Sequence, residues 1–280
     1  MTYADEFHHA AAKSYQELLN FYEPSILLGL TATPERMDGK DVLKYFDGRI
    51  AAKMLLGEAI DRNLLSTFQY FGVTDDVDYR KCSWVRGKYD ANELEKIYTA
   101  DTRRCALILN SVKKYVTDID QVKGLGFCVS VAHAEYMAKY FNVQGVPSLA
   151  LSSKSADDIR SDAKQELVNG QIKFIFVVDL YNEGVDIPQV DTVLFLRPTE
   201  SATVFLQQLG RGLRLCAGKE CLTVLDFIGQ ANKKYDFAMK FEAMVGKGRK
   251  SLQKQIEDGF SRLPRGCYMA YILVHALKFV

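Results

Sequence analysis

This sequence is short of several things, and each shortage removes a class of protein. Its net charge is only +1, with 36 Lys and Arg against 35 Asp and Glu, so composition gives no support for a nucleic-acid partner and leaves that question to motifs. The six cysteines (Cys82, Cys105, Cys128, Cys216, Cys221 and Cys267) form no Cys-x-x-Cys pair, which argues against a secreted disulfide framework. Cys216 and Cys221 have no histidine nearby, so zinc is not expected, and reduced thiols in a cytoplasmic protein are. Long apolar runs are missing too. The first residues are polar and acidic, so no signal peptide is expected. The apolar run at residues 268–280 is shorter than the roughly 20 residues a membrane-spanning helix needs. What remains, 48% hydrophobic and 25% charged residues over 280 positions, is an ordinary globular composition with length for two compact lobes.

Residues 174–215 organise the rest. An apolar, β-branched run at 172–178 reads as a buried strand, a polar turn at 179–188 carries Gly184 and Asp186, and 190–196 reads as a second buried strand. A helical segment follows, ending in Gln207, Gly210, Arg211 and Arg214. At spacings of four and three, Gln207, Arg211 and Arg214 share one helix face, with Leu206, Leu209 and Leu213 on the apolar side. Guanidiniums stay charged and offer a planar fork of donors to phosphate oxygens. A solvated basic helix end is the bland alternative. Gly210 and Gly212 speak against it, since each costs about 1 kcal/mol inside a helix.

Elsewhere the chain offers Asp5-Glu6-Phe7-His8, two adjacent carboxylates that could divide metal binding and proton transfer between them. They could equally be an acidic cap on a helix over residues 10–21. A short strand at 25–30 delivers Thr31 and Thr33 at its carboxyl end, where open α/β sheets place ligands; a plain turn is the alternative. Residues 38–66 are helical but broken by glycines, 67–73 reads as a strand, and 75–90 is charged and irregular. Trp84, the only tryptophan, could stack on a base or anchor an insertion as a half-buried core residue. From residue 103 onward strands and helices alternate: helix 103–116, strand 126–131, helix 134–141, strand 146–151, helix 155–167, then the segment above, strand 221–227 and helix 230–245. Such alternation means a parallel sheet with helices on both faces. A basic run at 247–254 reads as a solvated face or a contact to a nucleic-acid backbone. The apolar end at 269–280 would leave an exposed patch unless it docks, and is expected to be a truncated or artefactual end.

Gln207-x-x-Gly-Arg-x-x-Arg214, preceded by Glu183-Gly-Val-Asp-Ile-Pro188, resembles motifs VI and V of superfamily 2 helicases, of the branch with type III restriction motor subunits and DEAD/DEAH-type enzymes. Asp5–His8 resembles motif II, Thr31–Pro34 motif III, and the strand at 126–131 motif IV. The resemblance implies an α/β, RecA-like architecture: a truncated first lobe (1–66), an inter-lobe connection or insertion (67–102), a complete second lobe (103–246) and a C-terminal extension (247–280). It implies ATP and Mg2+ as cofactors. Asp5 would hold the magnesium through water, Glu6 would orient the attacking water, and His8 would couple this site to Gln207. Gly184 and Asp186 would lie near the nucleotide, Arg211 would reach the γ-phosphate with Arg214 beside it, and Thr31 and Thr33 would couple hydrolysis to movement. The partner it implies is DNA, single-stranded or duplex, ahead of RNA.

The family's phosphate loop, Gly-x-x-x-x-Gly-Lys-Ser/Thr, occurs nowhere in these residues; Gly246-Lys-Gly248 lacks the spacing. Either a C-terminal portion of a longer helicase or a misplaced start is expected, with the chain alone not competent for turnover. The parent would be an ATP-dependent DNA helicase or translocase. The alternative is a truncated lobe that binds nucleic acid or a partner without catalysis.

Overall fold

The computed structural model describes residues 2–5, 7, 13–22, 25–31, 42–85, 87–178, 187–199, 201–230, 235, 238–245 and 263–272. It divides into two compact units, Met1–Leu55 and Leu56–Val280.

In the first unit β1 (Thr2–Ala4) and β2 (Leu27–Gly29) pair in parallel, joined through α1 (Lys13–Tyr22). The chain leaves both strands along the same path: Leu30 N–H donates to Ala4 O at 2.9 Å and Phe7 N–H to Leu30 O at 2.8 Å. Phe7 is the anchor. It is 1% exposed and meets the rings of Tyr45 and Phe46 edge-on at 5.8 and 4.9 Å.

The second unit begins with α2 (Leu56–Asp61) and the long strand β3 (Phe68–Asp78). A small antiparallel hairpin follows, β4 (Trp84–Val85) with β5 (Lys88–Tyr89), then α3 (Ala91–Thr99) and α4 (Arg103–Tyr115). Strands and helices then alternate: β6 (Gly124–Phe127), α5 (Val131–Val143), β7 (Ser148–Leu151), α6 (Asp157–Val168) and β8 (Phe174–Val177). β9 (Thr192–Phe195), α7 (Ala202–Gly210), β10 (Leu222–Gln230), α8 (Ala238–Val245) and β11 (Tyr268–Ile272) complete it. Seven strands form one sheet in the order β11-β3-β10-β9-β6-β8-β7. Every adjacent pair in it is parallel. This is the parallel α/β sheet that the alternation of elements implies, and the RecA-like arrangement that the resemblance implies.

Strand periodicity splits the core in two. Ile175, Val177, Val193, Phe195 and Val224 face one way, against Leu167 of α6, Phe205 and Leu209 of α7 and Phe241 of α8. Phe174, Phe176, Leu194 and Leu225 face the other way, against Ile108 and Val112 of α4 and Met137 and Phe141 of α5. Both faces of a parallel sheet are thus covered, which is why its strands read as unbroken apolar runs.

The sheet takes in more of the chain than the motifs suggest. β3, placed by sequence in an inter-lobe connection, pairs with β10 near the sheet's edge, and β11 pairs with β3 as the edge strand. The apolar run at the end of the sequence begins docked on the sheet, since Met269 is 6% exposed and its strand is in register with β3, and residues 273–280 lie outside the described residues. The irregular segment after β3 is ordered by a small aromatic core of Tyr79, Tyr89 and Tyr98, on which Trp84 packs edge-on to Tyr89 at 4.8 Å. The bland reading of Trp84 is the one the packing supports. All six cysteines are free thiols. Among the described residues no helix is long and apolar enough to cross a membrane.

Candidate functional site

α7 opens with Ser201, whose hydroxyl caps the amide of Val204 at 3.5 Å. The helix runs back across the sheet, so its end lies at the amino ends of the strands. There it tightens into i→i+3 bonds: Arg211 N–H to Gln208 O at 3.3 Å, Gly212 N–H to Leu209 O at 3.0 Å and Leu213 N–H to Gly210 O at 3.3 Å. The helix therefore stops at Gly210 with Arg211 as its C-cap. Here the single-face expectation is corrected: Gln207 lies on the helix, but Arg214 stands in the turn beyond it. Gln207 and Arg211 are half-buried and Arg214 is exposed, whereas the neighbouring Gln208 is 1% exposed. Gly212 has a steric reason to be glycine, since a Cβ there would overlap the side chain of Leu222 at the start of β10. Leu213 is buried, and its carbonyl accepts from Ser66 N–H at 2.7 Å. The arginines thus sit on a turn pinned on two sides.

The segment entering β9 arrives at the same edge. Ile187 is buried, and Val190 N–H closes a turn onto its carbonyl at 3.1 Å. Asp191 accepts from the Lys123 amide at 3.1 Å and from the Thr192 hydroxyl at 2.8 Å; burial raises its carboxyl above the ordinary range, offset by those bonds. Between the two segments stands Lys219. Its ammonium donates to Pro188 O (3.1 Å), Val190 O (3.0 Å), Gly212 O (2.8 Å) and Arg214 O (2.6 Å). Burial lowers its pKa below the ordinary lysine value, while Cys216, Asp191 and Cys221 pull the other way.

In the first unit Asp5 is exposed just past β1, and Thr31 is half-buried just past β2. The parallel pairing of those strands brings the two residues to the same, carboxyl end, where ligands of parallel sheets bind. Glu6, His8, Thr33, Gly184 and Asp186 lie outside the described residues, as does the basic run at 247–254. No three His, Cys, Asp or Glu side chains converge among the described residues. A single exposed carboxylate is compatible with magnesium, which keeps most of its waters.

Motifs do not point to two further groups. At the carboxyl ends of β6 and β9, Arg104 forms an ion pair with Asp75 at 2.6 Å, donates to Leu196 O at 2.9 Å and lies 4.0 Å over the ring of Tyr98. His133 stands beside it, its Nδ1 accepting from Val129 N–H at 3.3 Å. Under α7, Asp226 accepts from Tyr70 Oη at 2.5 Å and from Lys240 Nζ at 2.6 Å. The sequence signal for the second was a lone carboxylate in an apolar strand. For the first there was little beyond a histidine just after the motif IV strand.

Comparison with known proteins bears on the arginine turn directly. The helicase conserved C-terminal domain matches residues 107–216, which span β6 to the arginines, and the type III restriction enzyme res subunit matches residues 3–36, which span Asp5 to Thr33. Two of its segments are thus similar to a helicase domain and to a restriction-enzyme subunit. A 51.5 kDa protein of a Lactococcus phage is 28% identical to this chain over 279 residues, 97% of the chain and 60% of the phage protein. The DNA 3'-5' translocase XPB2 of Sulfurisphaera tokodaii is 24% identical over 246 residues, 75% of the chain and 54% of the translocase. The chain thus spans little more than half the length of these relatives. The fold agrees with that of the ATP-dependent Type ISP restriction-modification enzyme LlaBIII bound to DNA, at a TM-score of 0.65 and 15% identity over 96% of the chain and 21% of that enzyme.

Proposed function

We propose that the parent protein is an ATP-dependent DNA helicase or translocase, to which this chain contributes part of a first RecA-like lobe and a whole second one. The observation that carries this reading is the arginine turn. Arg211 caps a helix end that is locked by i→i+3 bonds and by Gly212 against Leu222. A guanidinium held this way stays charged, and it meets a developing phosphoryl charge without rearrangement. Bound ATP with magnesium would supply the phosphoryl group and its counter-charge. The chain's own residues would do the rest: Asp5 water-mediated metal binding, Glu6 orientation of the attacking water, His8 and Gln207 the link between lobes. Gly184 and Asp186 would approach the nucleotide, Arg214 would support Arg211, and Thr31 and Thr33 would relay the change. Opening and closing of the lobes would then step them along a strand.

A relative named as a DNA translocase supports DNA as the strand. A cytoplasmic setting agrees with six free thiols. No phosphate loop occurs within residues 1–280, which supports a second reading of this chain taken alone, as a binding lobe without turnover.

The test is ATP hydrolysis with single-stranded DNA, duplex DNA or RNA, by this chain and by a form extended upstream to include a phosphate loop. In the extended form Arg211→Ala is expected to reduce turnover by about 10³-fold or more while DNA binding stays within a few-fold. Equal loss of binding and turnover would count against the finger role. DNA-stimulated turnover by the chain alone would overturn the account of its missing loop.

A further inference from the structure

Lys219 is drawn back to the arginine turn by a tight reversal. Lys219 N–H donates to Cys216 O at 3.2 Å, and Gly218 takes φ +82°, a value that ordinary side chains rarely adopt. The reversal carries the ammonium to a point where four backbone oxygens lie 2.6–3.1 Å away. Two of them belong to the segment 188–190 and two to the segment 212–214. An ammonium has three hydrogens and no directional fork, so it can share itself among four acceptors as a compact point charge. Separating the two segments would leave it facing half its ligands in a partly dry place, which is costly for a charge.

We propose that Lys219 is a positioning residue that ties the end of motif V to the arginine turn of motif VI, so that residues 187–190 and 211–214 move as one body. Through this tie a shift at Ile187 is passed to the bases of Arg211 and Arg214. The catalytic part of the inference rests on the finger role proposed for Arg211; the mechanical part does not.

The first measurement is hydrogen exchange on this chain and its Lys219→Met variant, with peptides covering 187–196, 210–222 and β6. Both of the first two are expected to lose at least tenfold protection together, with β6 changed less than twofold. Loosening of 210–222 alone would reduce Lys219 to a local cap and overturn the proposal. So would a uniform loss across the sheet, or no change at all. Lys219→Arg serves where the Met variant does not fold. Its planar fork cannot gather four oxygens at one atom, so the same paired loosening is expected. The second measurement is turnover in the extended form, where Lys219→Met should lower kcat at least tenfold and shift the KM for ATP less than threefold. Wild-type turnover that Arg211→Ala leaves intact would refute the finger reading and leave the exchange result to judge the tie.

Discussion

His133 is 0% exposed, beside the Arg104 guanidinium and the ring of Tyr98, with ring centroids 4.7 Å apart in the latter pair. Both ring nitrogens face N–H donors, Nδ1 the Val129 amide at 3.3 Å and Nε2 the Arg104 guanidinium at 3.5 Å, so a second ring proton would find no acceptor. Burial, reinforced by the charge of Arg104, holds its pKa well below the ordinary 6.5. The sign of the consequence is fixed. The unfolded chain takes up a proton as pH falls through 6.5 and the folded one does not, so this contribution to stability is complete above 6.5 and shrinks below it. Wild-type unfolding free energy should fall by up to about 1.4 kcal/mol per pH unit between pH 6.5 and 5 on this account. His133→Asn, whose amide oxygen can still accept from Val129, should show a markedly shallower slope in urea titrations at those pH values. An unchanged slope would mean another group governs acid lability. None of this network is visible in the sequence, because its members lie 29 and 92 positions apart and one partner is a backbone carbonyl. The staple of Lys219 was hidden for the same reason: all four of its acceptors are main-chain oxygens. Arg211 was legible because its motif is contiguous and its neighbours are glycines with a steric or terminal purpose.

Strand β6 shows how an element is misread when glycine is taken as punctuation. The apolar pattern places a strand over 126–131, but the strand is Gly124–Phe127, and its two glycines are its packing device. Gly124 and Gly126 are in register with Phe174 and Phe176 of β8, and a Cβ on Gly124 would overlap the Phe174 ring. The space they leave admits two stacked rings, 6.1 Å apart, which meet Phe141 of α5 edge-on at 5.3 and 5.0 Å. Gly124→Val should therefore destabilise the protein by about 1–3 kcal/mol, the usual cost of overpacking a filled core, although valine is the better strand former. The midpoint of urea denaturation measures it, and a stabilised variant would show that the ring packing is looser than described. Helices were the easier elements: α4, α5 and α6 lie within a few residues of their expected spans, since each couples an apolar face to a clear stop such as Gly170 at φ +73°. β3 and β11 were harder, because their place in the sheet depends on partners more than a hundred residues away.

At the scale of the molecule the two units differ in what they can sustain. Residues 56–280 hold all seven strands of the large sheet and the helices that cover both its faces. Residues 1–55 hold a two-stranded sheet, one described α-helix and a small core around Phe7 and Val42, with Phe21 80%, Tyr22 64% and Ile26 59% exposed. A unit of that size buries too little apolar surface to offset the entropy of ordering its chain. Residues 56–280 expressed alone should consequently unfold in one cooperative transition, with a Tm within about 4 °C of the whole chain, since 1 kcal/mol moves Tm by roughly 2–4 °C at this length. Residues 1–55 alone should give the circular dichroism of an unfolded chain. A 56–280 piece that binds hydrophobic dye and melts without cooperativity would show that these residues need residues 1–55 for their stability. A melt close to that of the whole chain would instead show that the sheet carrying Arg211 stands without residues 1–55, because all seven of its strands lie beyond them.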